Sequence, residues 1–414
     1  MIHDSVIIGG GPAGLMAAAR ASELGARVLV MEKNDCLGKK LLITGHGRCN
    51  LSNASADDKN IISVYGPNGR FLYSAFSRYG VEKTLEFFNG LGIKTKIEDA
   101  GRIFPQSGGA LAVRDALFEY LKKNNVEFRF NSAVKELCAE KGEIKKVILI
   151  SGEEIFAKKF IIACGGKSYP ATGSNGDAYA WLKKLGHKVN PLRPALASLS
   201  VKEKNIKELE GLSLENIIIN VYAGLQKAFS ARGDLLFTAD GLSGPVIIDS
   251  SGRIGGLLPQ TGVCVKIDLF PDIALADFSK KMQNDFHDNG KKMLKNYLAF
   301  LLPPRLASYI LRLSGICGEK ELNSISRDER ECLAILIKEL AFAVGAVNGF
   351  EKAMLTAGGL DVKELDPKTM RSRLYKNLYL AGEVLDIDGP SGGYNLQICW
   401  STGYTAGNDV FSEY

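Results

Sequence analysis

The chain has 414 residues, more than one hydrophobic core ordinarily supports, so two or three domains are expected. Its net charge of +6 comes from Lys and Arg dispersed among acids, not gathered in a stripe, which argues against a nucleic-acid partner. The eight Cys show no C-x-x-C and no short pairing, so they read as reduced thiols of a cytoplasmic protein, and no apolar run approaches the ~20 residues of a membrane span.

In chain order, the first strand is expected at Ser5 to Ile8, so near Met1 that no signal peptide is expected. Gly9, Gly11 and Gly14 then supply G-x-G-x-x-G, and Pro12 to Leu24 carries apolar residues at helical spacing. A second buried strand, Arg27 to Met31, ends at Glu32. Strand, glycine turn, helix and strand with a terminal acid are the parts of a dinucleotide site. Gly9 makes the tight turn, Gly11 admits a pyrophosphate to the backbone, Gly14 lets helix and strand pack, and Pro12 and Ala13 open the helix whose free N–H groups favour phosphate. Glu32 is placed to accept hydrogen bonds from a ribose diol, which favours FAD or NAD over NADP.

A polar, glycine-dotted stretch runs to Asn53. Helices are expected at Val81 to Leu91 and Ala110 to Lys123, a strand at Val126 to Phe130, and a hairpin-like pair at Ala133 to Cys138 and Glu143 to Ser151. Phe160 to Ala163 is a short buried strand ending in Gly165-Gly166. From Pro191 the pattern alternates like half-buried antiparallel strands, in "ASLSVKE", "ENIIINVYA", "GDLLFTA" and "GVCVKIDLF". Asp277 to Leu340 is mostly helical, with a capped amphipathic helix starting near Ser326. Strand character returns in "AFAVGAVNGFEKAMLTA"; "NLYLAGEVLD" is a buried strand closed by Gly382 and Glu383, and the last helix begins near Asn395. The order of elements is α/β, a Rossmann-like dinucleotide-binding domain interrupted by a β-rich body with a helical stretch, and the resemblance described below implies that this is an FAD-binding domain with an inserted β-rich domain and a small helical subdomain. The expected boundaries are 1–190 and 357–414 for the two parts of the FAD domain, 191–276 and 341–356 for the β-rich domain, and 277–340 for the helices.

Five long motifs, namely the glycine turn with Glu32, "KKLLITGHGRCNLSN", "FIIACGGKSYPATGSNGDAYAWLKKLGH", "LLFTADGLSGPVII" and "LYLAGEVLDIDGPSGGYNLQICWSTGYTAG", occur in one order along the whole chain. In these the chain resembles the FAD-binding proteins of the BaiN/YhiN type, also called the aminoacetone oxidase family, within the two-dinucleotide-binding-domain flavoproteins. His46 and Ser391 depart from the small or polar residue and the Thr expected there. The resemblance implies FAD lying extended, with its adenosine end on Gly9 to Gly14, Glu32 and the adjoining Lys33, and the backbone of Val134 at the adenine edge. Lys39 and the loop Gly45, His46, Gly47, Arg48, Cys49, Asn50 would run along the pyrophosphate and flavin, and Gly165 would lie near them. Gly393, Asn395 and Leu396 would open a helix toward the pyrimidine edge of the flavin, where negative charge develops on reduction. Gly382, Glu383 and Asp386 would follow the last strand, near the ribityl or phosphate region.

Several of these residues carry two readings. His46 is either a general acid or base in a cofactor loop or a solvent-facing residue. Cys49 lacks a neighbouring partner thiol and reads as a buried flavin contact. Tyr169 and Tyr394 either donate a proton to substrate or pack on the ring. His187, at the end of "KKLGH", reads as a cation at a helix C-terminus. Neither His clusters nor paired carboxylates at ligand spacing point to a metal. "CGGKSYPATG" lacks the spacing of a second nucleotide turn, so NADH or NADPH would bind transiently, in a cleft between the FAD domain and the insert. The resemblance implies an FAD-dependent oxidoreductase acting on a small molecule, with NAD(P)H-dependent reduction of an enone such as a 3-dehydro bile acid favoured over oxidation of aminoacetone-type amines by oxygen. A flavin-binding redox sensor or an RNA-linked protein without metabolite turnover is the remaining alternative, and the oligomeric state stays open.

Overall fold

A computed structural model describes residues 2–57 and 64–410. The chain divides into two units, one made of Met1–Arg193 with Phe350–Tyr414 and the other of Pro194–Gly349.

The first unit is built on a five-stranded parallel sheet. Its centre is β1 (His3–Ile8), flanked on one side by β2 (Val28–Met31) and then Glu127–Arg129, and on the other by Ala157–Ile162 and then Leu378–Leu380. Val6, Ile7 and Ile8 and all of β2 are buried, as a parallel sheet covered on both faces requires. Register brings Ile8 level with Met31 and Ile162, and Ile162 level with Leu380. The turns that follow these strands therefore open at one edge of the sheet, the carboxyl edge where such folds bind ligands.

α1 (Pro12–Glu23) follows β1 and lies against the last described helix, Tyr394–Asp409. Small residues set that approach. A β-carbon on Gly403 would stand 2.3 Å from the carbonyl oxygen of Ala13, and one on Gly407 2.3 Å from that of Ala17, so the glycines one turn apart let the two backbones touch. Two small antiparallel sheets flank this core, one of Ser52–Asn53, Arg102–Pro105 and Thr95–Ile97, the other of Val134–Glu140, Glu143–Leu149 and Glu154–Ile155.

The second unit is a closed antiparallel barrel of six strands in the spatial order Leu199–Val201, Gly241–Ser243, Gln226–Phe237, Ser213–Ala223, Val263–Asp268, Leu340–Val347. Alternate residues point inward, among them Ile217, Ile219 and Val221, Val263, Val265 and Ile267, and Leu340, Phe342 and Val344. Helices Leu275–Asp288, Leu294–Leu301, Pro304–Ser314 and Arg327–Lys338 share one continuous apolar core with the barrel. The last of these starts as the sequence indicates: Ser326 Oγ accepts from the Glu329 N–H, and the Glu329 carboxylate accepts from the Ser326 N–H. The sequence reading does not anticipate helix Pro245–Leu257 within the β-rich segment. Its β-branched start, Val246-Ile247-Ile248, imitates a strand, but Gly244 at φ 90° and Pro245 at the first helical position turn the chain into a helix.

Candidate functional site

The glycine turn after β1 separates into three roles. Gly9 sits at φ 112°, and a β-carbon there would lie 2.5 Å from the Ala163 carbonyl oxygen. One on Gly14 would lie 2.0 Å from the Gly9 carbonyl oxygen, whereas Gly11 has no atom within 4 Å of that position. Two glycines are thus required by the protein's own packing, and the middle one borders open space. Gly11 is also the N-cap of α1, with Pro12 at its start and no side chain capping the N–H groups of its first turn. Ala13 wedges the helix start against Gly382, whose β-carbon would lie 2.8 Å from that of Ala13.

At the end of β2, Glu32 is buried. Its Oε2 accepts from the Gly10 N–H at 2.8 Å, and its Oε1 accepts from the backbone and side-chain N–H groups of Asn34 at 2.9 and 2.7 Å. This fixes the carboxylate beside the turn while leaving it acceptor capacity for a diol. Lys33 is turned to Asn175 and Asp177, and Lys39 to the exposed Asp35, whose carboxyl the ammonium hydrogen bond holds below its usual range. Lys40, one residue on, points inward: its Nζ donates to Glu383 Oε2 and to Ser168 Oγ, both at 2.7 Å. Glu383 Oε1 accepts from Ser168 Oγ at 2.9 Å and from the Thr356 N–H at 3.0 Å. Thr356 Oγ1 in turn accepts the N–H groups of Lys167 and Ser168. Gly165 and Gly166 pass over this network; a β-carbon on Gly166 would lie 2.4 Å from Thr356 Oγ1 and 2.7 Å from Glu383 Oε1.

The loop after Lys40 is bent through left-handed backbone at Gly45 (φ 55°), His46 (φ 55°), Gly47 (φ 84°) and Cys49 (φ 60°). His46 and Arg48 are exposed. Arg48 pairs with Glu98 and lies 4.0 Å from the centre of the Phe104 ring, and with Lys96 it pulls the Glu98 carboxyl down to about 2. Cys49 is buried, and burial pushes its thiol up to about 12, so it is no thiolate nucleophile near neutrality. Asn50 Oδ1 is buried with no hydrogen-bond partner among the described residues.

That orphaned oxygen faces the second glycine turn. A β-carbon on Gly393 (φ 103°) would lie 2.9 Å from Asn50 Oδ1 and 2.2 Å from the Ser52 carbonyl oxygen. Gly393 is the N-cap of Tyr394–Asp409 and, like Gly11, leaves the first helical turn without a side-chain cap. Gln397 is fully buried and joins Ser52, Thr84 and Ser401, which fixes the loop on the helix. Asn395 instead holds its own turn, accepting from the Gly389 N–H and donating to the Gly389 and Pro390 carbonyls. Leu396 is half-buried against the core, and Tyr394 meets Tyr65 edge to face at 6.1 Å between ring centres.

The remaining expected residues lie apart from one another. Tyr169 is half-buried at φ 50° and donates its N–H to Phe350. Val134 is buried at the start of its hairpin, level with Leu149. Asp386 accepts from the side chains of Asn68 and Asn190. Sequence reasoning missed Lys40, Ser168 and Thr356: two adjacent lysines carry no sign of which faces inward, and Ser168 and Thr356 gain meaning only from Glu383.

The site's own features fit an extended dinucleotide. Gly11 opens onto free space below an uncapped helix, a second uncapped helix starts at Gly393, and Asn50 Oδ1 and Ser174 Oγ are buried polar atoms without protein partners among the described residues. FAD, when bound, supplies hydride chemistry that no side chain offers. Glu32, the start of α1, Asn50 and the Gly393 turn are the groups that would hold it.

Comparison with known proteins agrees. The model of the HI0933-like protein Rossmann domain family matches residues 3–409. A 3-dehydro-bile acid delta(4,6)-reductase of Clostridium scindens is 33% identical over 405 residues, 97% of either chain. A ribosomal RNA dihydrouridine synthase of Escherichia coli is 31% identical over 99% of this chain and 98% of its own. Among solved structures, the 3-ketosteroid delta1-dehydrogenase of Sterolibacterium denitrificans superposes with a TM-score of 0.57 at 12% identity, over 99% of both chains, which is a likeness of fold. The chain belongs to the HI0933-like Rossmann-domain family and is a flavoprotein oxidoreductase.

Proposed function

We propose that this chain is an FAD-dependent reductase that saturates a carbon–carbon double bond conjugated to a carbonyl, with NADH or NADPH as electron donor. The observation that carries this reading is a shared chemistry. Two full-length relatives are named for a steroid acid reduced at its delta(4,6) bonds and for dihydrouridine, a uracil saturated next to its carbonyl. Both products require a hydride equivalent at one carbon of an enone and a proton at the other. The Gly393 helix start supports it, because its free N–H groups stabilise negative charge on a reduced flavin.

A small-molecule enone is the first substrate class, and uridine in RNA is the second. The second rests on the name of the Escherichia coli relative; the +6 excess lies in the flavin unit, because basic and acidic residues balance across 194–349, but it is dispersed and not gathered in a stripe. The test is an anaerobic titration of the FAD-loaded protein. Bleaching by NADH or NADPH identifies the donor, and reoxidation by a 3-keto-Δ4 steroid or by uridine-containing RNA identifies the acceptor. RNA as substrate requires affinity that falls steeply with salt. A flavin that no nicotinamide bleaches and no enone reoxidises would sink the proposal.

A further inference from the structure

α1 and the helix Tyr394–Asp409 run side by side in the same direction, because Gly403 packs on Ala13 and, one turn further along both, Gly407 packs on Ala17. Tyr394 precedes Gly403 by nine residues, so the second helix reaches about 14 Å beyond the start of α1, toward the ligand edge of the sheet. The two uncapped helix starts therefore stand one behind the other. A dinucleotide with its adenosine at Glu32 and its pyrophosphate at Gly11 extends its other end along that line, which carries a flavin ring to Gly393.

The polar side chains around the second helix start are committed to the protein, with one exception. Asn53 Nδ2 donates to the carbonyls of Ala100 and Gly392 at 2.9 and 3.0 Å, and Ser52 Oγ donates to Gln397 Oε1 at 2.7 Å. Gln397 Nε2 donates to Thr84 and Ser401, Trp400 Nε1 donates to the Leu51 carbonyl at 2.9 Å, and Asn395 closes its own turn with Gly389 and Pro390. These bonds lay residues 51–53 along the helix and fix the position of Asn50 before them. The Asn50 carboxamide alone makes no hydrogen bond among the described residues, although its Oδ1 is shut off from water. It lies against the helix start, 2.9 Å from where a β-carbon of Gly393 would stand. A buried amide oxygen without a partner is costly, so the site is complete only when a donor arrives from outside the chain.

We propose that this donor is the flavin N3–H: the Asn50 carboxamide pairs with the imide edge of the ring, its oxygen accepting from N3–H and its NH2 donating to a flanking carbonyl. The open N–H groups at Gly393 take the other carbonyl. The match is one of pattern. The imide edge reads acceptor, donor, acceptor, and a helix start offers donors only, so the central N–H needs the one uncommitted acceptor beside it. Rotation about the Asn Cβ–Cγ bond is soft, so the amide can present oxygen and nitrogen together without moving the backbone. Glycine at 393 leaves room for that rotation. This rests on the chain being a flavoprotein and not on which acceptor it reduces.

The test reads binding, not turnover. Full-length apoprotein, as wild type, Asn50→Leu and Asn50→Asp, is titrated with FAD and with FAD methylated at N3, and flavin fluorescence gives each Kd. Wild type should bind FAD about tenfold or more tighter than the N3-methyl form, since the methyl group removes one hydrogen bond and strands a buried acceptor. Asn50→Leu should bind FAD more weakly and hold the two flavins within about twofold of each other, whereas Asn50→Asp keeps an acceptor and should still prefer FAD. Leu retains the bulk of Asn, so a preference that is merely steric would persist in Asn50→Leu. Equal affinity of wild type for the two flavins, or undiminished discrimination in Asn50→Leu, would overturn the proposal. If Asn50→Leu does not fold, the wild type and Asn50→Asp decide: loss of the preference in Asn50→Asp overturns it. A wild type that takes up neither flavin fails the flavoprotein assignment and the proposal with it, and a wild type that binds FAD selectively but reduces no enone fails only the reductase reading.

Discussion

Lys40 Nζ stands 2.7 Å from Glu383 Oε2, joining the loop after β2 to the turn after Leu378–Leu380 across 343 positions of sequence. Ser168 and Thr356 complete the cluster, so three other chain segments converge on the Glu383 carboxylate. Lys40→Met leaves Glu383 without its counter-charge but still hydrogen-bonded. It should destabilise the first unit by about 1–3 kcal/mol, below the range for a fully buried pair because both side chains keep some solvent contact. Lys39→Met, which removes only a surface pair, should change stability by less than about 0.5 kcal/mol. Urea unfolding of the two variants checks this; equal losses would show that Lys40 is not the inward lysine.

Gly14 and Gly393 exclude a side chain for different reasons, and the difference is measurable. At Gly14 the obstacle is the Gly9 carbonyl at 2.0 Å, so Gly14→Ala must separate α1 from β1. The cost should be about 1–3 kcal/mol, with loss of bound FAD, as overpacking at a rigid contact predicts. At Gly393 the obstacle is the Ser52 carbonyl together with Asn50 Oδ1, and φ of 103° adds backbone strain. Gly393→Ala should disturb the flavin end, shifting the visible spectrum of whatever FAD remains. Gly11→Ala meets no protein atom, so it should fold with wild-type stability and lose FAD affinity alone. Apoprotein melting and flavin content per chain separate the three outcomes.

The flavin fold was legible because its signals are local. Gly9, Gly11, Gly14 and Glu32 lie within one strand-helix-strand unit whose spacing is fixed by backbone geometry, and helices such as Pro12–Glu23 and Gly109–Lys123 carry their period in the sequence. The role of the second glycine turn was legible only through the family resemblance. What stayed hidden depends on distant partners. Lys40 is distinguished from Lys39 only by which way each faces, and that follows from Ser168 and Glu383, more than a hundred residues away. Helix Pro245–Leu257 was missed because three β-branched residues outweighed the turn chemistry of Gly244 and Pro245 before them.

Cys49 tests the loop reading from the other side. Its thiol is buried and pushed up to about 12, whereas Cys317 and Cys332 are exposed. A thiol-alkylating reagent applied to the native protein near neutral pH should therefore modify Cys317 and Cys332 within minutes and leave Cys49 intact until the protein unfolds. Peptide mass mapping gives the answer. Fast modification of Cys49 would mean that the loop opens in solution and that a redox role for this thiol must be reconsidered.

His187 departs from the sequence expectation of a cation at a helix end. It is buried, with Nδ1 3.1 Å from Glu364 Oε2 and Nε2 3.2 Å from Ser372 Oγ. Although these three side chains are those of a hydrolytic triad, Ser372 is itself buried, and its Oγ accepts the N–H groups of Leu374 and Tyr375, so it caps a turn. Burial lowers the imidazole pKa below 6.5, outweighing the opposing pull of Glu364. A group depressed on folding binds its proton more readily in the unfolded chain. Its contribution to stability is thus complete above about pH 6.5 and is lost as pH falls from there through the folded-state value. Unfolding free energy measured from pH 8 to pH 5 should fall on the acid side in the wild type, and less in His187→Gln, which keeps polar atoms at the site without a titrating ring. A wild type that gains stability on acidification through this window, with His187→Gln flat, would mean that the imidazole is charged in the native state.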